Sequence, residues 1–235
     1  MWKVPRIWEG GECWIIGGGP SVTKQFNIPV KLVQQIRDKE LSIHSFSPYM
    51  SFLHDKHVIG VNSALFLGDW LDIIFFGDYN FYLRHLYPLR DYPGIKVFGN
   101  PKGKNPEFQR EGIKFLGRDM EHPHGLTKDN QKISWNSNSG AASINLAIHL
   151  GIKKIYLLGF DMFIDKHNQH WHNQYRTEQI ERERQNKTIK LPFSRHLKGF
   201  PLIAKQAKKW GIEIINVSPD SEINDFPKIS MKDIL

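Results

Sequence analysis

Trp135 to Phe163 reads WNSNSGAASINLAIHLGIKKIYLLGFDMF, and this stretch decides the fold. Asn136, Ser137, Asn138, Ser139 and Gly140 are small polar residues whose side chains suit a helix start, where free N–H groups need acceptors. From Gly140 to Leu150, apolar residues recur three and four apart (Ala141, Ile144, Ala147, Ile148, Leu150), which predicts a helix with one buried face. Gly151 ends it. Ile155 to Leu158 is a short apolar run of the kind that forms a parallel strand covered on both faces. Gly159 permits a tight turn, and Asp161 follows just beyond the strand's C-terminal end, where open α/β sheets bind their ligands. The polar cap and Asp161 are therefore expected to face one pocket.

Working outward, Cys13 to Ile16 is another apolar run, followed at once by Gly17-Gly18-Gly19-Pro20-Ser21. A strand entering a glycine-rich turn lets backbone N–H groups approach a phosphate. The spacing is neither G-x-G-x-x-G nor that of a P-loop. Val58 to Asn62 and Leu71 to Phe76 predict two further strands, which end at Asn62-Ser63 and Gly77-Asp78. A parallel sheet would gather these four polar ends along one edge. Ile95 to Phe98, Ile113 to Leu116 and Ile212 to Val217 complete the expected strands. Helices are expected over Val30 to Lys39, Phe81 to Leu89 and Phe200 to Trp210, with one or two helical turns from Ala64 to Trp70. Leu41 to His57, interrupted by Pro48, reads as a loop plus a short strand. Asp119 to Lys132, with His122 and His124, reads as a polar surface excursion. Strands alternating with helices give an α/β class: one Rossmann-like domain over residues 1–235, with a polar insert or lid at about 164–198.

That insert carries Asp165, His167, His170 and His172, a carboxylate and imidazoles of the kind that ligate zinc or a similar ion. The competing reading is a solvated loop. The aromatic cluster Phe75, Phe76, Tyr79, Phe81, Tyr82 is chiefly core, with Tyr79 placed to stack on a base.

Composition narrows the classes. The chain has 235 residues, 40% hydrophobic, enough for a packed core. No apolar run approaches the roughly 20 residues of a membrane span. Without a recognisable signal peptide, and with Cys13 as the single cysteine, a cytoplasmic location is expected. The net charge of +8 suits anionic ligands such as nucleotides, although a solvated basic surface would give the same number. Nucleic acid is not the expected partner, since no zinc-finger spacing or RNA-binding motif occurs. Oligomeric state is left open, a homo-oligomer included.

IIGGGPSV (15–22), VIGVNSA (58–64), DIIFFGD (72–78), SNSGAASINLAIHLGIKKIYLLGFDM (137–162) and INVSPDS (215–221) together resemble the successive blocks of one superfamily. It is the 6-hydroxymethylpterin diphosphokinase-like (MptE-like) superfamily of bacterial and phage proteins. The glycine–proline–serine turn and the Ser-Gly helix with its Leu-Gly-x-Asp strand also resemble bacterial CMP-sialic-acid-dependent sialyltransferases. The resemblance implies a Rossmann-like domain that holds a nucleotide or nucleotide sugar at the strand ends. Gly17, Gly19, Pro20 and Ser21 would lie near the phosphates, Asn62 would hold the nucleotide or its substituent, and Asp78 would share the cleft. Ser139 and Gly140 would cradle phosphate at the helix start, with Asn138 beside them in the nucleotide site, and Asp161 would contact the nucleotide or a divalent metal such as Mg²⁺. His196 falls where the sialyltransferases carry a general base. A histidine suits that role because its pKa lies near neutrality. Two positions depart from the sialyltransferase pattern. Phe163 stands where a tyrosine hydroxyl is expected, and Asn136 replaces an arginine.

Three functions follow as expectations. The first is a nucleotide-dependent transferase, most specifically a glycosyltransferase that joins a nucleotide-sugar donor to a small-molecule or glycan acceptor. The second is a Mg²⁺-dependent diphosphokinase acting on a pterin-like alcohol, with Asp78 and Asp161 as the candidate carboxylates. The third is a non-catalytic nucleotide- or glycan-binding protein.

Overall fold

The sheet is built from short runs of β-branched and aromatic residues that are buried on both faces. In the computed structural model, residues 1–100, 111–164, 170–172 and 192–235 are described. The strands are β1 (Glu12–Ile16), β2 (Val58–Val61), β3 (Ile73–Phe76), β4 (Ile95–Gly99), β5 (Lys114–Arg118), β6 (Lys132–Ile133), β7 (Lys154–Leu158) and β8 (Glu213–Asn216). All pair in parallel, in the order β6-β5-β4-β3-β2-β1-β7-β8. From β1 the chain winds one way through β2 to β6. It then crosses back to lay β7 on the other side of β1, in the register Ile15 to Leu157. The order therefore reverses between β1 and β7, the switch point at which such sheets open a crevice.

Alternate residues of each strand feed two cores. Cys13, Ile15, Ile59, Phe75, Ile155 and Leu157 face helices α5 (Ser139–His149) and α7 (Phe200–Lys209). Trp14, Ile16, Val58, Ile74, Phe76 and Leu158 face the opposite layer. That layer contains α1 (Ser21–Gln25), α2 (Val30–Arg37), α3 (Tyr79–Arg84), α4 (Leu86–Asp91) and a 3-10 run, Ile43–Leu53. The α/β class with a parallel, helix-flanked sheet is as the strand–helix alternation predicts.

Four local expectations are corrected. The Leu41 to His57 region contains no named strand. Ser42 accepts from His44 N at 3.3 Å and opens the 3-10 run, whose Ile43, Phe46, Met50 and Leu53 pack on the sheet. The expected helix over Phe81 to Leu89 is two helices that meet at His85. Pro88 falls in the first turn of the second, where a missing N–H costs nothing. Lys132–Ile133 closes the polar excursion as the edge strand β6, too short to carry a periodic signal. Helix α5 buries far more than one face: Ala141, Ala142, Ser143, Ile144, Asn145, Leu146 and Ala147 are all buried. It lies under the sheet, and small residues in its first turns allow that approach.

The metal candidate His167 and most of the expected lid at about 164–198 lie outside the described residues. Among the described residues, no helix is long and apolar enough to cross a membrane.

Candidate functional site

Backbone hydrogen bonds weld the turns after β1 and β7 together. Gly17 N donates to Leu158 O at 2.8 Å, and Gly19 N donates to Gly159 O at 2.8 Å. A cavity of about 140 Å³ opens above this weld. Its walls are Gly17 to Gly19, Val61 and Asn62 at the end of β2, Asn138 to Gly140 at the start of α5, and Gly159 to Phe163. His170, His172, Phe193 and His196 complete them. The cavity lies at the β1/β7 switch point, so the sequence expectation that the polar cap and Asp161 face one pocket agrees with the geometry.

The glycines are required by contact. A Cβ on Gly19 would sit 1.8 Å from Asp161 Oδ2, and one on Gly17 would meet Gly159 O at 2.7 Å. A Cβ on Gly140 would strike the Phe160 ring at 2.8 Å, so the bare helix start lets that ring pack beneath the turn. Asp161 is 1% exposed. Its Oδ2 accepts from Ser21 N at 3.1 Å, while Oδ1 is buried with no partner among the described residues. Burial raises the Asp161 carboxyl above the usual carboxylate range; the Ser21 hydroxyl and N–H, the Ser218 hydroxyl and the Lys24 charge oppose the rise. Ser21 Oγ and Ser218 Oγ are 2.8 Å apart, so the β1 turn, the β7 turn and the end of β8 are tied together behind the cavity.

Asn138 caps α5: its Oδ1 accepts from Gly140 N at 2.9 Å and Ala141 N at 3.3 Å. The cap orients the helix and directs its positive end toward the cavity. It also occupies the Gly140 N–H that was expected to cradle phosphate. The Asn138 Nδ2 and Asn62 Oδ1 atoms, like Asp161 Oδ1, are buried without partners among the described residues. Buried polar atoms are rarely left unsatisfied, and these three belong to residues that line one cavity. Two of the lining residues, Asn62 and Met162, also hold positive φ, at 52° and 59°. Such backbone strain in non-glycine residues gathers at functional sites.

The histidines enter from two elements. His170-Trp171-His172 lies against the glycine turn: Trp171 N donates to Gly18 O at 3.1 Å and Trp171 Nε1 to Gly17 O at 2.8 Å. His170 Nδ1 is 3.2 Å from Gly18 O, and a carbonyl there makes that nitrogen the donor. The His170 and His172 rings stack with centroids 4.9 Å apart and planes 9° from parallel. Among the described residues no group of three His, Cys, Asp or Glu side chains could hold a metal. Burial pushes His170 down to about 4, opposed by the Gly18 carbonyl and assisted by His196; burial also holds His172 well below its usual value. His196 sits on α6 (Phe193–Leu197), where burial and then Arg195 push its imidazole down to about 4.

Pro20, Ser21 and Asp78 do not line the cavity. Pro20 starts α1, and Ser21 works from behind by holding Asp161. Asp78 is exposed and caps α3 through Asn80 N at 2.8 Å. It stands beyond β3, three strand positions from β7, or about 14 Å along the sheet edge. The carbonyl beside it, Gly77 O, accepts from Arg118 Nη2 and Asn100 Nδ2, both at 3.0 Å. Asn136 is structural: it exchanges hydrogen bonds with Gly125 N and O at 2.7 and 3.0 Å and donates to Ser134 O at 2.9 Å. Phe163 does line the cavity. Sequence reasoning missed Trp171 and Ser218. A lone tryptophan in a polar run and a serine after the last strand were the available signals.

No protein-family model matches the sequence, and no curated protein matches it. Among solved structures, the chain is similar to the sialyltransferase CstII from Campylobacter jejuni. The complex of that enzyme with cytidine-5′-monophosphate aligns at 17% identity, over 93% of this chain and 84% of that one, with a TM-score of 0.50. Its complex with the substrate analogue CMP-3FNeuAc aligns at 15% identity, over 93% and 86%, with a TM-score of 0.47. The first of these alignments establishes a likeness of fold: a Rossmann-like α/β architecture with one parallel sheet flanked by helices.

Proposed function

We propose that the chain is a nucleotide-dependent transferase, specifically a glycosyltransferase that takes its donor from a nucleotide sugar. The observation that carries this reading is that Asn62, Asn138 and Asp161, each with a buried polar atom (Oδ1, Nδ2 and Oδ1) that has no partner among the described residues, line one cavity at the β1/β7 switch point. Polar atoms in that state need a ligand with both donors and acceptors, and a nucleotide supplies them. The fold it shares with a sialyltransferase that binds CMP and CMP-3FNeuAc supports the same class of ligand. In this reading Gly17 to Gly19 and Ser139 approach the phosphates, and Asn62, Asn138 and Asp161 fix the rest of the nucleotide. His196 takes the proton of the acceptor hydroxyl as general base; burial keeps it neutral but, at about 4, makes it a weaker base than the near-neutral imidazole expected from sequence. Phe163 lacks a hydroxyl, so stabilisation of the departing phosphate falls to other groups.

The diphosphokinase alternative is the weaker one. Its two carboxylates would have to share Mg²⁺, and about 14 Å between strand ends separates Asp78 from Asp161.

Thermal-shift titration with CMP, UDP, GDP and ATP, each with Mg²⁺ and with EDTA, tests the reading. A ligand that binds only the folded state stabilises it by about 2.7 kcal/mol at a hundredfold excess over Kd. A pyrimidine nucleotide or its sugar conjugate should raise Tm by several degrees regardless of EDTA. Absence of any shift across the panel would sink the proposal, and a shift by ATP that requires Mg²⁺ would favour the diphosphokinase.

A further inference from the structure

A second cavity, of about 340 Å³, opens at the other end of the sheet. Two of its lining residues, Lys153 and Ile212, immediately precede β7 and β8, so the five residues of β7, about 17 Å, separate it from the turns of the first cavity. We propose that it is a second binding site, for a small ring compound that carries a phosphate or a carboxylate. The inference does not depend on the nucleotide reading of the first cavity. Four chain segments enclose the space: the N-terminal lead-in, the 127–130 loop, the exit of α5 and the exit of α7. Backbone hydrogen bonds hold three of them together. Val4 N donates to Asn130 O at 3.0 Å, Trp8 N to Leu150 O at 2.9 Å, and Lys153 N to Gly11 O at 2.9 Å. The volume falls in the range of small-molecule sites.

The chemistry of the lining selects the ligand. Ile152 and Ile212 are buried and apolar, whereas Arg6, Lys128 and Lys153 are exposed and cationic, each from a different segment. Trp210 stands between the two lysines. Lys128 Nζ lies 5.4 Å from the centre of its indole, and Lys153 Nζ donates to its carbonyl at 3.3 Å. An anion held by either ammonium therefore lies beside an aromatic ring, which gives the ring body of the same ligand a surface to rest on. Lysines near a helix end can simply answer its dipole, and α7 does end here. Its last turn, however, already carries Lys208 and Lys209, against a helix-end charge of roughly half a unit. Lys128 and Lys153 exceed that requirement. Two acids stand close by in the chain, and each has its own cation: Glu9 Oε1 accepts from Arg6 Nη2 at 2.6 Å, and Asp129 Oδ2 is 3.2 Å from Lys132 Nζ. The two lysines beside Trp210 are thus the main attraction for an incoming anion.

Titration of ¹⁵N-labelled protein, followed on the indole N–H resonance of Trp210 (assigned with Trp210→Phe), tests the site. Glucuronate, glucose 6-phosphate and UMP are the probes. At least one should move the resonance saturably, with affinity that falls as salt rises. Glucose has the ring without the charge and inorganic phosphate the charge without the ring, and both should bind more weakly. Lys128→Gln and Lys153→Gln, both at exposed positions, should each weaken the best probe by about two- to fivefold. Saturation by the two sugars alone would support the site with an acidic sugar as its occupant, and saturation by UMP alone would support it with a nucleotide. No movement with any of the three overturns the inference, even if nucleotides raise Tm through the first cavity. Movement by phosphate equal to that by the ring compounds, or affinity indifferent to both lysine substitutions, overturns it as well.

Discussion

Asp161 and Gly19 form a matched pair in which one residue exists for the other. The carboxylate occupies the space that any side chain at position 19 would need, with 1.8 Å to an ideal Cβ. Gly19→Ala should therefore cost about 1–3 kcal/mol, read as a lower urea midpoint with unchanged slope. Undiminished stability would mean that the turn yields. Asp161→Asn should act in the opposite sense. The folded state raises the acid's pKa, so it binds the proton more tightly than the unfolded chain, and stability falls as pH rises above the ordinary carboxylate range of about 4. Removing the ionisation should raise Tm at neutral pH, flatten that part of the pH profile and weaken nucleotide binding. A lower Tm would contradict the burial argument. Both residues were legible in the sequence as a glycine turn and an acid past a strand. Their mutual contact was not, since positions 142 apart meet only through the β1–β7 pairing.

Helix α5 carries the site and owes its position to one buried amide. Asn145 Oδ1 accepts from Thr127 N at 3.0 Å and Ser134 N at 3.1 Å, and its Nδ2 donates to Thr127 O at 3.0 Å. The polar excursion between β5 and the helix is thus tied down by a residue that the periodicity treats as a mere gap between apolar positions. Asn145→Ala would leave two buried N–H groups unpaired, at a cost of at least about 2 kcal/mol. Chemical denaturation would measure it, and a loss below about 1 kcal/mol would show that the excursion finds other partners. Trp171 ties a second element in the same way, fully buried and edge-on to Phe46 with its ring N–H on Gly17 O. Neither tie leaves a pattern in sequence, because each pairs a single side chain with a backbone group far along the chain.

Across the whole molecule, His85, His149, His170, His172 and His196 are all shifted below the usual histidine value, chiefly by burial. The unfolded chain would bind protons at these sites near pH 6.5, and the folded chain resists doing so. Their contribution to stability is full above that pH and is lost as pH falls toward the folded values, about 4 for His170 and His196. Calorimetric Tm should therefore decline steadily between about pH 6.5 and pH 4, and less steeply in a His149→Gln variant. A flat profile over that range would contradict the burial of these rings. By itself, the sequence determined the alternation of apolar strands and helices, and with it the α/β class and the gathering of polar strand ends on one edge. Those features are local: a buried strand must be apolar on both faces, and a chain leaving it must turn on small residues. Only the tertiary structure decided which strand ends meet. The crossover that sets β7 against β1, with β2 on the other side, brings Gly17, Asn62, Asn138 and Asp161 to one cavity and leaves Asp78 three strands away. Strand order follows from how two faces of one sheet are covered at once, and no single stretch of sequence contains that information.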